Sequence, residues 1–405
     1  MKTIFTIAWR NCWRNGLRTA IVVGAIVMGV WSSLTILGML SAFISQRVDK
    51  MVQLQLGDAQ IHAPTFDANP DISNTLDQPG ELLTQLADHP QIAAFSPRFV
   101  TEASVMSPHG QSGVRLLGVN PEREIKTLGL GQRIQEGSFL GGTQRYPVLV
   151  GAKMAEKLQL SLRSRLQISF TNIDGDYLSK TFKVAGIFKA GDDAFDSQTI
   201  FVPIDRIEAL TGRSLLHEVV LKASNPEQLS SLVASIANRH PNYLVESWKT
   251  RFPTIAYTVA MADTISYILM SIIVVALLFG IINTLTMSIL ERTQELGVLQ
   301  AIGMSKLKIR LMIVLESLIY GLIGGPVGVL LGYLTILYFG IVGLDLSAVG
   351  QGMQAFGYDP IIYFSIAPKY YLIFPVFIIT ATIIAGIYPG RLATRLNPVT
   401  AIRTL

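Results

Sequence analysis

Four long runs of apolar residues punctuate the chain, and between the first two lies a region where apolar and polar residues alternate over a few positions at a time. Residues 19–46, 264–290 and 370–388 contain no charge, and residues 311–344 contain one acid, Glu316. Crossing a hydrocarbon core of about 30 Å takes about 20 predominantly apolar residues in a helix, so each run predicts a transmembrane helix. Buried helices of a soluble protein are the other reading, and the length and lack of charge weigh against it. The first run follows Lys2, Arg10, Arg14 and Arg18, as the apolar core of a signal peptide would. Such cores span only about 7–15 residues, so the run reads as an uncleaved anchor.

The intervening region has a different rhythm. Residues 98–106, 114–119, 147–150, 166–171, 180–188, 199–202 and 218–222 read as strands, and residues 54–61 as an edge strand. Residues 81–87, 152–158, 203–211 and 226–238 read as helices, and residues 67–80, rich in Asp, Asn and Pro, as a loop. The expected fold class is a membrane α-helical protein with four transmembrane helices and a large α+β domain inserted between helices 1 and 2. That domain is expected to form two α+β lobes, split near residues 80–145. The expected order is an amphipathic N-terminal helix over 1–18, spans over 19–46, 264–290, 311–344 and 370–388, the α+β domain over 47–262, a short helix over 291–310, a loop over 345–369 and a tail over 389–405.

Charge sets the orientation. Of 405 residues, half are hydrophobic and 15% charged, against about 25% charged in soluble domains. Residues 45–262 hold 21 basic and 22 acidic residues, so the excess of +6 belongs to the flanks. It borders apolar runs instead of forming a basic face, which argues against nucleic-acid binding. Lys2, Arg10, Arg14 and Arg18 precede the first span. Arg292, Lys306, Lys308 and Arg310 lie between the second and third, and Arg391, Arg395 and Arg403 follow the fourth. Basic loops stay cytoplasmic, so both termini are expected inside and the α+β domain outside, in a bacterial periplasm. Residues 4–17 are amphipathic, with Trp9 and Trp13 as anchors, and read as an interfacial helix or as the polar start of span one.

Little points to catalysis or metal binding. Cys12 is the sole cysteine, and the five histidines show no pair at helical ligand spacing. The acids Asp192, Asp193, Asp174 and Asp176 sit in turn-forming surroundings, and no Ser/His or Cys/His arrangement is visible. No G-x-x-x-x-G-K-[ST] phosphate loop is present.

The stretch after span two is helical in period, ending at Gly303, a candidate cap. It contains Glu291, Arg292, Glu295, Leu296, Gly297, Leu299, Ala301 and Gly303. Leu296, Leu299 and Gln300 share one face, and Val298 and Ile302 another; apolar residues on a short cytoplasmic helix suit docking to a partner, with an ordinary charged loop that fixes topology as the other reading. This segment resembles the signature E-R-x-x-E-[IL]-G-[VI]-L-[RK]-A-[ILV]-G of the FtsX-like, MacB-type ABC transporter permease family. Gln300 stands where the family usually has a basic residue. Arg10, Asn11, Arg14, Asn15, Arg18 and Thr19 resemble the family's opening. Leu315, Glu316, Ser317, Gly321 and Gly324 to Gly328 resemble its third span, and Pro389, Ala393, Pro398, Ala401 and Arg403 its ending. Phe182 to Phe188 and Phe201 to Pro203 resemble the periplasmic core domain, where Arg163-Ser164 replace a frequent Gly-Asp turn.

The resemblance implies a permease that couples ATP hydrolysis on a partner to motion of the outer domain, itself no enzyme. It implies two copies of a cytoplasmic ABC ATPase carrying ATP and Mg, a second permease, identical or homologous, and a lipoprotein or other amphiphilic substrate drawn from membrane lipid. No cofactor or metal is expected on this chain. Among branches, Leu56 to His62 and the lack of a fused ATPase look most like the lipoprotein-releasing permeases. Macrolide- or peptide-exporting and FtsX-like signalling permeases are the alternatives. Glu291 to Gly303 would seat on the ATPase. Gly324, Gly328 and Gly332 lie on one helix face and permit close packing, although such spacing is common in spans. Pro326 permits a kink. Glu316, near the cytoplasmic end of its span, is expected to pair with a cytoplasmic base, with simple exposure at the interface as the alternative. Met39, Leu40, Phe43, Ile265, Ile268 and Leu269 are candidate lining for a substrate entering between spans one and two, with lipid contact or helix packing as the alternative for each.

Overall fold

A computed structural model describes residues 2–66, 72–141, 144–355 and 357–395. The chain divides into two compact units, one of Met1–Ile44, Ala260–Asp345 and Ile361–Leu405, the other of Ser45–Val259 and Leu346–Pro360.

The first unit is built on helices α1 (Lys2–Arg14), α2 (Gly16–Met51), α3 (Pro253–Glu291), α4 (Thr293–Ala301), α5 (Lys306–Val342) and α6 (Lys369–Ala393). Four of these, α2, α3, α5 and α6, are long and apolar enough to cross a membrane. Several hydroxyls inside them are satisfied within their own helix, as an apolar medium demands, whereas the buried Thr286 Oγ1 of α3 has no partner among the described residues. Ser33 donates to Gly29 O, Thr35 to Trp31 O, Ser266 to Ala262 O and Thr335 to Leu331 O, each one turn back along its own helix.

Between helices the contacts run along small residues. A Cβ added to Gly324 would meet Ile26 at 2.8 Å, one on Gly328 would meet Val30 at 2.6 Å, and one on Gly332 would meet Leu34 at 2.8 Å. The stripe on α5 is therefore the surface on which α2 lies, since only hydrogen fits in the gap. Gly386 of α6 is pressed in the same way against Ser317 and Val314 of α5. Pro326 sits on the exposed side of α5, and the helix runs continuously through it from Lys306 to Val342.

The second unit is an α/β domain whose strands are β1 (Ala59–His62), β2 (Ile92–Ser107), β3 (Gly110–Val119), β4 (Ile134–Gly137), β5 (Pro147–Gly151), β6 (Arg165–Thr171), β7 (Tyr177–Phe188), β8 (Thr199–Pro203), β9 (Glu218–Ala223) and β10 (Leu244–Ser247). Pairing runs β2-β3-β8-β5-β7, and β6 joins β7 back to β2, so six strands close into a ring. Closure removes exposed strand edges, and its interior is apolar: Phe99, Val105, Leu116, Val150, Leu166, Phe182 and Val202 are all buried in one cluster. β4 adds antiparallel to β7, and β10, β1 and β9 form an antiparallel run that ends on β2, β10-β1-β9-β2. The helices Pro79–Ala87 and Leu229–Arg239 pack on it through Leu82, Leu86, Leu232 and Ile236.

Two readings of the sequence are corrected here. The lobes are not sequential halves: Ala59, Ile61, residues 76–95 and 216–248 supply one core, Ile72 with residues between Phe99 and Leu215 the other, and the long strand β2 belongs to both. Nor do residues 54–61 form an edge strand. Val52–Leu56 is a π-helical turn, and β1 lies between β9 and β10, buried along its whole length. A four-residue strand with no exposed face leaves no alternation from which to tell centre from edge. The loop expected over 67–80 lies partly outside the described residues.

Arg98 marks the joint. Its backbone faces Val119 of β3 on one side and Glu218 of β9 on the other. Its guanidinium donates from Nε to Glu124 at 3.2 Å and from Nη1 to Glu218 at 2.9 Å, with all three side chains buried. Burial alone would raise the Glu218 carboxyl, but Arg115 and Arg98 overcome that and hold it at about 2.

Candidate coupling site

The stretch from the last residue of α3 into α4 is tied to α1, α2 and α5 by charge. Arg292, just before α4, reaches Glu316 of α5 at 3.4 Å and donates to Asn11 O of α1 at 3.1 Å. Asn11 closes the triangle by donating to the same Glu316 oxygen at 2.7 Å. Glu316 is 5% exposed, and a carboxylate there needs its partners because burial without them is costly. The base expected for Glu316 is therefore Arg292. Glu295 pairs with Arg14 of α1 at 2.7 Å and Glu291 with Arg18 of α2. Glu295 also stands in the first turn of α4, where the helix dipole favours an acid. These two pairs are partly exposed, so they contribute little stability by themselves.

The end of α4 is set by Gly303. Its φ of +93° is open to glycine without a Cβ penalty. Gly303 N donates to Gln300 O and Met304 N to Leu299 O, the two bonds of a Schellman cap. Gln300 donates its side-chain amide to Ala393 O of α6 at 3.3 Å. The residue that departs from the family pattern thus fixes the helix to the end of the fourth span, a contact an uncharged amide can make.

Exposure reassigns part of the expected docking face. Leu296 and Gly297 are buried within the chain, so they hold α4 in place and present nothing outward. Leu299 is half-buried, whereas Ala301, Val298 at 49% and Ile302 at 76% are exposed. Val298 and Ile302, one turn apart, are the apolar pair that a partner would meet. Sequence periodicity put them together but could not say which face turned out, because the apolar residues of α4 are spread around the helix with no single apolar stripe.

The candidate substrate-lining residues fare differently. Ile265 and Ile268 of α3 are exposed, while Met39, Leu40 and Phe43 of α2 and Leu269 of α3 are half-buried. The groove found between α2 and α3 lies farther along both helices. It has a volume of about 360 Å³ and is lined by Ile21, Val22 and Ala25 against Ile272, Ala276 and Gly280. Gly29 touches Leu277 so closely that a Cβ would come within 2.7 Å of it.

One feature of the α/β unit had no clear signal in the sequence. Lys50, 7% exposed, binds Asp359 at 2.8 Å and Gly191 O at 3.0 Å, while Arg47 lies over the Tyr358 ring at 5.2 Å. The loop between α5 and α6 is thereby fastened to the α/β domain. Single charges in otherwise polar loops gave no sign of pairing across some 300 positions.

Four membrane-length apolar helices, a charged helix between the second and third, and a mixed-sheet domain carried between the first two define an integral membrane protein of the permease type. The MacB-like periplasmic core domain model matches residues 19–239, more than half the chain, and the FtsX-like permease C-terminal model matches residues 267–398. The chain belongs to the FtsX-like, MacB-type family of ABC transporter permeases.

Among relatives, it is 23% identical to the lipoprotein-releasing system transmembrane protein LolE of Haemophilus influenzae, over 87% of this chain and 85% of that one. It is 30% identical to the ABC transporter permease YtrF of Bacillus subtilis, over 59% of this chain and 56% of that one. It is 24% identical to the macrolide export ATP-binding/permease protein MacB of Nitrosomonas europaea, over 98% of this chain but 58% of that one. The solved periplasmic region of MacB from Actinobacillus actinomycetemcomitans is 13% identical, with 52% of this chain and 98% of that one covered and a TM-score of 0.37.

Proposed function

We propose that this chain is the membrane subunit of a bacterial inner-membrane transporter that turns ATP hydrolysis on a partner into motion of its α/β domain. The domain lies in the periplasm between spans one and two, and both termini are cytoplasmic. Two copies of a cytoplasmic ATPase carry ATP and Mg, and a second permease, identical or homologous, completes the membrane part. The substrate is a lipid-anchored protein or another amphiphile taken from the membrane, the reading favoured by similarity to lipoprotein-releasing proteins over most of both chains.

The observation that carries the coupling role is the arrangement of α4. Its outer face is apolar through Val298 and Ile302; Glu295 ties it to α1, Gln300 to α6, Arg292 just before it to α5, and Glu291 at the end of α3 ties its root to α2. A push on the outer face reaches three spans without passing through flexible chain. A second reading, export of a soluble amphiphile or peptide, draws on the relative MacB, whose match extends over nearly this whole chain. Signalling to a cell-wall hydrolase is a third.

The test is reconstitution in proteoliposomes with its partner ABC ATPase. Release of an acylated protein on adding ATP, lost in the double variant Val298→Asp with Ile302→Asp, is the expected result. Undiminished release in that variant removes α4 from the coupling role. ATP turnover with no release of acylated cargo rejects the lipoprotein reading and turns attention to export or signalling.

A further inference from the structure

The α/β domain contains a cavity that the coupling role does not use. It has a volume of about 830 Å³ and opens between strands β2 and β3, the turn Val52–Leu56 and the helix Asp193–Gln198. Small-molecule sites typically occupy about 300–1,000 Å³. At about 30 Å³ per water-sized group, the space holds on the order of 25 non-hydrogen groups: a head and one hydrocarbon chain.

Its walls are of two kinds. Met51, Phe66, Val100 and Phe195 supply apolar surface, and two cations and two acids, Arg115, Arg251, Glu102 and Asp192, share the same lining. Arg115 and Arg251 also reach a smaller chamber of about 130 Å³, which Gln60 lines as well. Gln60 is 4% exposed; its amide nitrogen donates to Leu56 O at 2.8 Å, which fixes the orientation of the amide, and its buried Oε1 accepts from nothing among the described residues. A buried acceptor without a donor is uncommon and calls for one.

These features select a ligand class. A purely apolar molecule would cover Arg115, whose side chain is half exposed and meets Glu218 at 3.3 Å with one of its nitrogens, and would deprive its other donors of water. A simple anion would meet Glu102, which faces Arg115 directly across β2 and β3, and Asp192. A head carrying both signs satisfies both walls, with phosphate on the arginines and ammonium toward the acids or the Gln60 oxygen.

We infer that the cavity binds a single-chain amphiphile with a zwitterionic phosphate–amine head, of the lysophosphatidylethanolamine kind. The site extends the proposed transport role by giving an amphiphile a seat within the α/β domain. Its purpose rests on that reading, its existence does not.

Photolabelling the full chain in lipid nanodiscs tests it. The probe is lysophosphatidylethanolamine with a diazirine in its chain, and labelled peptides are mapped by mass spectrometry. Expected are labels on peptides containing Phe66, Val100 or Phe195, lowered about tenfold by Arg115→Gln. Glu102→Gln, an exposed position, is expected to lower labelling about fivefold with this head and to leave lysophosphatidic acid unaffected. Labels confined to the spans overturn the proposal, as does equal labelling in both variants or equal labelling by the choline-headed probe. If ATP-driven release persists while the cavity stays unlabelled, the site falls and the transport reading stands; if the cavity is labelled and no cargo is released, the site stands and the transport reading falls.

Discussion

Each of the two units sets an arginine against buried carboxylate, and they do it differently. In the α/β domain, Arg98 is gripped at 2.9 Å by Glu218, the two facing each other on paired strands, and at 3.2 Å by Glu124 of the short helix Pro121–Thr127. In the membrane unit, Arg292 reaches the single acid Glu316 at 3.4 Å, across a contact shared by three helices whose backbones have no bonds to one another there. The first arrangement cannot open without breaking a sheet. The second can open by sliding one helix. Buried ion pairs are weak evidence for net stability but costly to break singly, so the difference lies in what holds the partners: a hydrogen-bonded sheet in one case, side-chain packing in the other.

Removing Arg98 is the harshest way to test that contrast. Arg98→Ala strands two buried acids and is expected to destabilise the α/β domain by about 3–5 kcal/mol. Hydrogen exchange of the β2 and β9 amides in the full chain would report it. Unchanged protection would make the joint incidental. Acid should act on the same place. Glu218 titrates near 2 in the folded domain against an ordinary 4.5, so its contribution is complete above pH 4.5 and disappears as pH falls toward 2. Asp196 has the opposite sign. Burial pushes it up to about 6, against backbone donors Ala190 and Gly191 that lower it. Its contribution is present below about pH 4 and lost as pH rises through 6. Asp196→Asn should therefore flatten the stability profile between pH 4 and 6 and leave the acid limb in place.

In the membrane unit the larger effect should come from packing. Gly328→Leu forces α2 off α5, with an expected cost of about 1–3 kcal/mol, read from the unfolding midpoint in a detergent titration. A wild-type midpoint would mean that the stripe is not the contact.

Arg163 offers a smaller gain elsewhere. It holds φ at +68° in the turn before β6, a conformation that disfavours side chains. Arg163→Gly should raise the melting stability of the α/β domain by about 1 kcal/mol, and a loss instead would show that the side chain stabilises the turn. Smallest is the Arg292–Glu316 coupling. A double-mutant cycle with Arg292→Ala and Glu316→Gln should give about 0.6 kcal/mol, the usual scale for polar contacts between spans. A value near 3 kcal/mol would erase the contrast with Arg98.

Much of this was written in the residues themselves. Apolar runs free of charge place the four long helices, because lipid rejects unpaired polar groups wherever they fall in the fold. Alternation locates β7, and the helix Leu229–Arg239 shows its apolar face through Leu232 and Ile236. The charged signature after span two marks α4. Short elements escaped: β4, β10 and the helix Asp193–Gln198 span four to six residues each, too few for a period to appear. Local pattern sets which segments are helix or strand, since it depends on neighbours along the chain. Tertiary structure alone decided that β2 serves two lobes, that Leu296 turns in while Ile302 turns out, and that Arg98 and Lys50 find acids 120 and 309 positions away. Those pairings depend on which surfaces meet in space, and no spacing along the chain encodes that.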